Sequence, residues 1–248
     1  MITVITAWYN EEFLASIFLR HYLFADEIII LLDESNSDDT VRLLNGYKKR
    51  FDVPVLTIKI LDMPNGMDDR LKQKQINDEY KSIDNGWVII ADADEFIFIP
   101  YGGIHLFLGK VAADVVKVDY FQMYAHESES PLNKDQSVFE QRKYGKRNGF
   151  ERWKKPAVVR AGKNFKWAVG HHEISAARYQ FHNEMLLGAH WYMADTDLAI
   201  KRRILGRKNR MSRKNHEAQL SAHNFNITED DIINECRENI NCPLVFQL

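Results

Sequence analysis

Apolar positions in the first hundred residues fall into short unbroken runs that alternate with segments of helical spacing. Residues 1–7 are β-branched and apolar, which favours a strand. Asn10, Glu11 and Glu12 then open a helix, with acidic side chains at its positive end, and Phe13, Leu14, Ile17, Phe18 and Leu23 follow helical spacing. Glu27 to Asp33 is a continuous apolar run ending on a carboxylate, the pattern of a strand buried on both faces. Ser35 to Asp39 is a polar turn, Val41, Leu44 and Tyr47 mark a second helix face, and Val55 to Leu61 reads as a third strand. Asp68 to Ile83 predicts a third helix, and Trp87 to Ala91 another buried strand that runs straight into Asp92-Ala93-Asp94-Glu95.

Such alternation predicts an α/β fold with parallel strands and right-handed crossovers. In sheets of this kind ligands bind beyond the carboxyl ends of the strands, where Asn10, Glu11, Asp33, Asp92 and Asp94 all fall. Beyond residue 100 the pattern is less regular. Val115 to Tyr124, Lys155 to Arg160 and Phe165 to Ile174 read as strands. Residues 125–150 form a long polar loop of the kind that serves as a lid, and Gly145 and Gly149 would permit a hinge. Asp195 to about Ala222 predicts one long basic helix, and Thr228 starts another. The expected organisation is a single catalytic domain over 1–225, made of halves 1–100 and 101–225, with a C-terminal tail over 226–248.

Composition narrows the partners. A chain of 248 residues can bury a sizeable core, and a net charge of -2 sets up no global field toward nucleic acid or membrane. Cys236 and Cys242 are too few for a disulfide framework or a zinc site. The N-terminal residues lack the basic and apolar regions of a signal peptide, and no apolar run approaches the ~20 residues that span a bilayer. A soluble cytoplasmic protein follows as the expectation, with any membrane contact peripheral, at the inner face, and made by the basic stretch 201–214. No nucleic-acid recognition motif accompanies that stretch.

Chemistry concentrates first at Asp92 and Asp94. In extended backbone, side chains two apart point the same way. Two such carboxylates repel unless a positive group sits between them. A hard divalent ion, Mn²⁺ or Mg²⁺, meets that need and takes phosphate oxygens to complete its shell. It would neutralise charge developing on a departing phosphate.

Three segments together carry a resemblance. Val4 to Glu11, Leu32 to Thr40 and Trp87 to Phe96 look like the first strand, the D-x-x-S-x-D-x-T turn and the D-x-D-E-F metal strand of the inverting glycosyltransferase family 2, which has a GT-A fold. Asn36 departs from the serine usual there. The resemblance implies a GT-A-like, mostly parallel mixed sheet flanked by helices. It also implies a nucleotide-sugar donor, UDP by default, and a glycan, lipid-linked or protein acceptor. Asp33 would bind the donor base, and Ala7, Tyr9, Asn10 and Glu11 would line the nucleoside. Asp92 would contact ribose or metal, and Asp94 would be a direct metal ligand. A late histidine completes the metal shell in such enzymes, with His190 the first choice and His172 the second.

Inverting transfer also needs a base for the acceptor hydroxyl. Glu173, beside His171 and His172, is the choice, with Asp119, Glu127 and Glu95 as rivals. Eight Lys/Arg side chains lie between Lys201 and Lys214 at several helical angles. Lys201 and Arg202, nearest the His190 segment, are the candidates to clamp a diphosphate. Two other readings stay open. A nucleotidyltransferase would carry a glycine-rich loop where this chain has bulky, acidic Trp8 to Glu11. A non-catalytic glycan-binding module would tolerate loss of Asp94.

Overall fold

The computed structural model describes residues 1–50, 54–147 and 153–246. The N-terminal half follows the expected alternation: β1 (Ile2–Trp8), α1 (Glu12–His21), β2 (Glu27–Asp33), α2 (Thr40–Arg50), β3 (Val55–Leu61), α3 (Asp69–Lys81) and β4 (Trp87–Ile90). β5 (Glu95–Ile97), α4 (Ile104–Lys110), β6 (Val115–Tyr124), α5 (Val138–Gln141), β7 (Gly145–Arg147) and β8 (Lys154–Arg160) come next. Two short strands follow, β9 (Lys166–Trp167) and β10 (Ile174–Ser175), then β11 (Leu186–Met193). Among the described residues one nine-stranded sheet runs β3-β2-β1-β4-β8-β6-β11-β5, with β7 beside β6. β3, β2, β1, β4, β6 and β11 share one direction, and β8, β5 and β7 oppose it. The mixed α/β sheet is therefore continuous across both halves of the chain.

Period-two burial builds two cores, one on each face. Ile28 and Ile30 of β2 and Ile89 of β4 pack in one with Phe18, Phe96 and Trp191. Ile29 and Leu31 of β2 and Val88 and Ile90 of β4 pack in the other with Ile76 and Tyr80 of α3. Double-sided burial is why these strands carry no polar alternation. Asp68 caps α3 by accepting from the Arg70 and Leu71 amides.

β11 was not foreseen, and Gly188 shows why it fits. A Cβ there would stand 2.5 Å from the buried Tyr120 ring on β6. Gly188→Ala is expected to cost about 1–3 kcal/mol by overpacking, read as a lowered urea midpoint.

Three expectations change. Residues 125–147 are fastened rather than free. Phe139 packs into the larger core and Arg142 is 1% exposed, with its Nε donating to Ala194 O at 2.6 Å. Residues 148–150, with Gly149, lie outside the described residues. The long basic helix is a series of unlike turns, because its cations turn inward to partners at different angles. It comprises α6 (Thr196–Ile200), a π-helical stretch Lys201–Arg207, a 3₁₀ turn Lys208–Arg210 and, after a break, α7 (Arg213–Glu217). We call Lys201–Arg210 the strap. The segment expected as a tail, so far as it is described, is part of the body. α8 (Glu229–Glu238) buries Ile232 against Tyr124 and Met193, and Phe246 enters the larger core.

Candidate active site

The carboxyl ends of β1, β2, β4, β6 and β11 open onto one cavity of about 690 Å³, roofed by the strap. Its wall includes Ala7, Tyr9, Asn10, Glu11, Asp33, Asp92, Asp94, His172, His190, Lys201 and Arg202. Residues scattered over nearly two hundred positions of sequence thus meet in one place.

The floor is braced by an exchange of hydrogen bonds between the turns after β1 and β2. Asn10, at φ 53, uses its side-chain oxygen to accept from the Ser37 amide at 2.8 Å, and its own amide donates to Asn36 Oδ1 at 2.8 Å. Thr40 Oγ1 accepts from the Glu11 amide and Asp38 Oδ2 from the Glu12 amide, satisfying the first N–H groups of α1. Asn10, Asn36, Asp38 and Thr40 thus shape the floor. Asn36 is one of its braces.

Asp92 and Asp94 do not share one partner. The chain leaves β4 at Ile90 and turns, with Glu95 N donating to Asp92 O at 3.0 Å, before entering β5. Extended geometry therefore does not hold, and the two carboxylates diverge. Asp92 faces Lys72 at 3.3 Å and Lys155 at 3.8 Å. Burial alone would raise its pKa, but those two ammonium groups hold it well below the usual carboxylate range. Asp94 Oδ2 takes a hydrogen bond from Arg202 Nη1, and the same guanidinium reaches Glu11 through Nε and Nη2 at 3.0–3.2 Å. Burial raises Asp94, and Arg202 and His190 outweigh it to hold the carboxyl at about 2. Burial pushes Glu11 up to about 7 against the pull of Arg202.

Behind this wall Glu95 pairs with Lys155 and accepts from the Asp92 amide at 3.2 Å. Buried at 1% exposure, it fixes Lys155 and the Asp92 turn. Burial lifts its carboxyl to about 7 despite Lys155.

His190 stands opposite Asp94, Nε2 to Oδ2 at 3.6 Å. Its Nδ1 meets Gln122 Oε1 at 3.1 Å, while Gln122 Nε2 points to the His190 and Met123 carbonyls. This network assigns the proton to Nδ1 and leaves the Nε2 lone pair facing Asp94. Burial lowers the imidazole to about 4, so it is neutral at pH 7. Among the described residues no three His, Cys, Asp or Glu side chains are grouped to hold an ion by themselves. Asp94 and His190 do fit an ion that takes two ligands from protein and the rest from phosphate and water, and a mixed carboxylate and imidazole pair suits Mn²⁺ better than Mg²⁺. Asp92, expected as a ligand, is directed to its lysines instead.

At the other end of the cavity Asp33 accepts from the Ser35 amide and hydroxyl through Oδ1 and from Arg210 Nη2 through Oδ2, the last at 2.7 Å. Tyr9 lies flat beneath Arg210, with Cζ 3.3 Å from the ring centroid.

The strap redistributes the basic stretch. Arg202, Arg207 and Arg210 line the cavity, Arg203 pairs with Glu235, and Lys208 donates to Ile227 O. Lys201 bonds Glu12 at the rim, 2.5 Å away. Most of the charge expected to face a membrane is turned inward. Among the described residues no helix is long and apolar enough to cross one. Lys72, Lys155, Arg207 and Arg210 complete a cationic lining that the sequence reading did not choose. A lysine heading the apolar strand Pro156 to Val159 was the readable signal, since a charge entering a buried strand requires a partner.

Glu173 does not reach this site. Its side chain is exposed and lies outside the cavity wall, although its neighbour His172 lies in it. Of its rivals, Glu127 is exposed, and Asp119 is buried beside Arg147 outside the wall.

No protein-family model and no curated protein matches the sequence. Solved structures with a similar arrangement include TarS 1-349 from S. aureus, at TM-score 0.44 and 12% identity over 97% of this chain and 70% of that one. HddC from Yersinia pseudotuberculosis, complexed with GMP-PN, aligns at TM-score 0.33 and 12% identity over 50% and 59%. A nucleoside-diphosphate-sugar pyrophosphorylase from Vibrio cholerae RC9 aligns at 0.34 and 10% over 66% and 75%. Likeness at this level assigns no activity.

Proposed function

We infer that the chain is an inverting glycosyltransferase that takes its sugar from a nucleoside-diphosphate donor. The observation that carries this is the single cavity in which a stacking ring and carboxylate, Tyr9 and Asp33, share a wall with Asp94, His190 and the cations Lys72, Lys155, Arg202 and Arg207. A nucleoside diphosphate has the same order of parts: a flat base with N–H donors, then two phosphates. Strand order sets the polarity. Tyr9 and Asp33 follow β1 and end β2, while Tyr124 and Tyr192 lie near the ends of β6 and β11, so donor and acceptor lie at opposite ends of one trough. Tyr124, Trp153, Tyr192 and His172 give the acceptor end an aromatic wall suited to the apolar faces of a sugar.

In the transfer the acceptor hydroxyl oxygen bonds to the anomeric carbon as the bond from that carbon to the phosphate oxygen breaks, and the hydroxyl proton passes to solvent water. The nucleoside diphosphate leaves with the electron pair. Lys72, Lys155, Arg202 and Arg207 stabilise the charge that develops on it. A divalent ion held by Asp94 and His190 would add Lewis-acid stabilisation of the same oxygens. Glu11 positions Arg202, and Glu95 positions Lys155.

Thermal-shift titration of nucleoside diphosphates and sugar nucleotides, each with Mn²⁺ and with EDTA, tests the reading. One base class is expected to raise the melting temperature by mass action, more with Mn²⁺ than without. Product analysis then decides the reaction. Release of nucleoside diphosphate with sugar on an acceptor supports transfer. Release of inorganic diphosphate from a nucleoside triphosphate and sugar phosphate would make the chain a nucleotidyltransferase. No shift with any nucleotide, from folded protein, would leave the glycan-binding module.

A further inference from the structure

Arg210 combines three contacts that a nucleobase would make. Its guanidinium is a plane lying on the Tyr9 ring at 3.3 Å. Its Nη2 donates to Asp33 Oδ2 at 2.7 Å and to Ser35 Oγ at 2.8 Å. A planar group with N–H donors along one edge, stacked on an aromatic ring and directed at a carboxylate, presents the same surface as a base with a ring N–H. Oδ1 of Asp33 is filled by the Ser35 amide and hydroxyl, which leaves a base the same oxygen, Oδ2, that Arg210 holds. The backbone of Arg210 is meanwhile anchored. Met67 N donates to Arg210 O at 2.7 Å, and Ser212 N donates to Met67 O at 2.9 Å. A side chain at Gly66 would collide with that same carbonyl, its Cβ 2.3 Å away, so the loop and strap are built to meet there. The main chain is thus held by the loop, and the side chain by Tyr9, Asp33 and Ser35, the groups a base would use.

We propose that Arg210 is the resident occupant of the base subsite, so that donor binding is an exchange in which the base takes Tyr9 and Asp33 and the guanidinium withdraws. This rests on reading Asp33 as the base-binding carboxylate. The exchange favours bases with a ring N–H, since the acceptor-only carboxylate must be given a donor in place of the one it loses. It also lowers affinity by the fraction of molecules in which Arg210 has already left.

Calorimetric titration of uridine, guanosine, cytidine, adenosine, UDP, GDP and inorganic diphosphate into the full chain, Arg210→Ala and Arg210→Lys tests the exchange. At least one nucleoside is expected to bind Arg210→Ala about fivefold or more tighter than wild type, as the competing occupant is removed. Inorganic diphosphate is expected to bind both equally. Arg210→Lys keeps the charge but lacks a plane to stack, and shifts in the same direction by less. Unchanged or weaker nucleoside binding by both variants, with UDP or GDP still bound by wild type, would overturn the exchange and leave the donor reading standing. Weaker diphosphate binding with unchanged nucleoside binding would make Arg210 a phosphate contact and also overturn it. Failure of all three folded proteins to bind any nucleoside or nucleoside diphosphate would remove the donor reading, and the exchange with it.

Discussion

Asp94→Asn is expected to lower sugar transfer by about 10²–10³-fold, the scale seen when one preorganised electrostatic group at a reacting centre is lost. The substitution keeps the volume and removes the charge. Asp94 is the point where Arg202 and His190 converge, so its loss unsets the cation nearest the Asp94–His190 pair and the facing imidazole together. The fold is expected to survive, because Asp94 bonds to β11 through its main-chain carbonyl, from Trp191 N at 2.7 Å. Arg202 keeps Glu11. The measurement is turnover at saturating donor beside donor affinity. A variant that turns over within a few-fold of wild type would take Asp94 out of the chemistry.

Arg142→Ala should show the largest loss of stability, about 3–5 kcal/mol, the range for removing one member of a buried charged network. Its guanidinium donates to three carbonyls, those of Ala194, Ser130 and Gln141, at 2.6, 3.0 and 2.8 Å. The Glu129 carboxylate lies 3.8 Å away. The Ala194 and Gln141 carbonyls belong to buried residues, so truncation strands them. Ala194 immediately precedes the N-cap of α6, so the same change loosens the helix that leads into the strap. Urea denaturation followed by tryptophan fluorescence measures the loss. An unchanged midpoint would show that the 125–147 segment is held by other contacts.

Much of the first hundred residues was legible because double-sided burial leaves an unmistakable mark. β2 and β4 read as strands because their interior positions are all apolar, and α3 was read from Asp68, the residue that caps it. β11 hid behind Gly188 and His190, one required by a ring on the next strand and the other by the cavity. At the site, a strand end singled out Asp33, a short motif Asp94, and the resemblance His190, and all three line the cavity. The divergence of Asp92 from Asp94 was missed because spacing was read as extended where the chain turns. The strap resisted reading for a related cause. Its cations fit no amphipathic stripe because the helix changes type along its length and the side chains answer to carboxylates far away in sequence.

That distance has a kinetic side. Asp33 and Arg210 are 177 positions apart, Glu11 and Arg202 191, and Asp69 and Asn215 146. Pairs of such separation close the largest loops in the chain, and long-range contacts form slowly because the loop must close before they stabilise anything. The sheet around β1 and β2 closes over far shorter spans. The roof is thus expected to dock after the sheet, and a molecule caught between the two would have native circular dichroism and an incomplete trough. Secondary structure content is then a poor witness to a competent site, and nucleotide binding is the proper measure of whether refolding has finished.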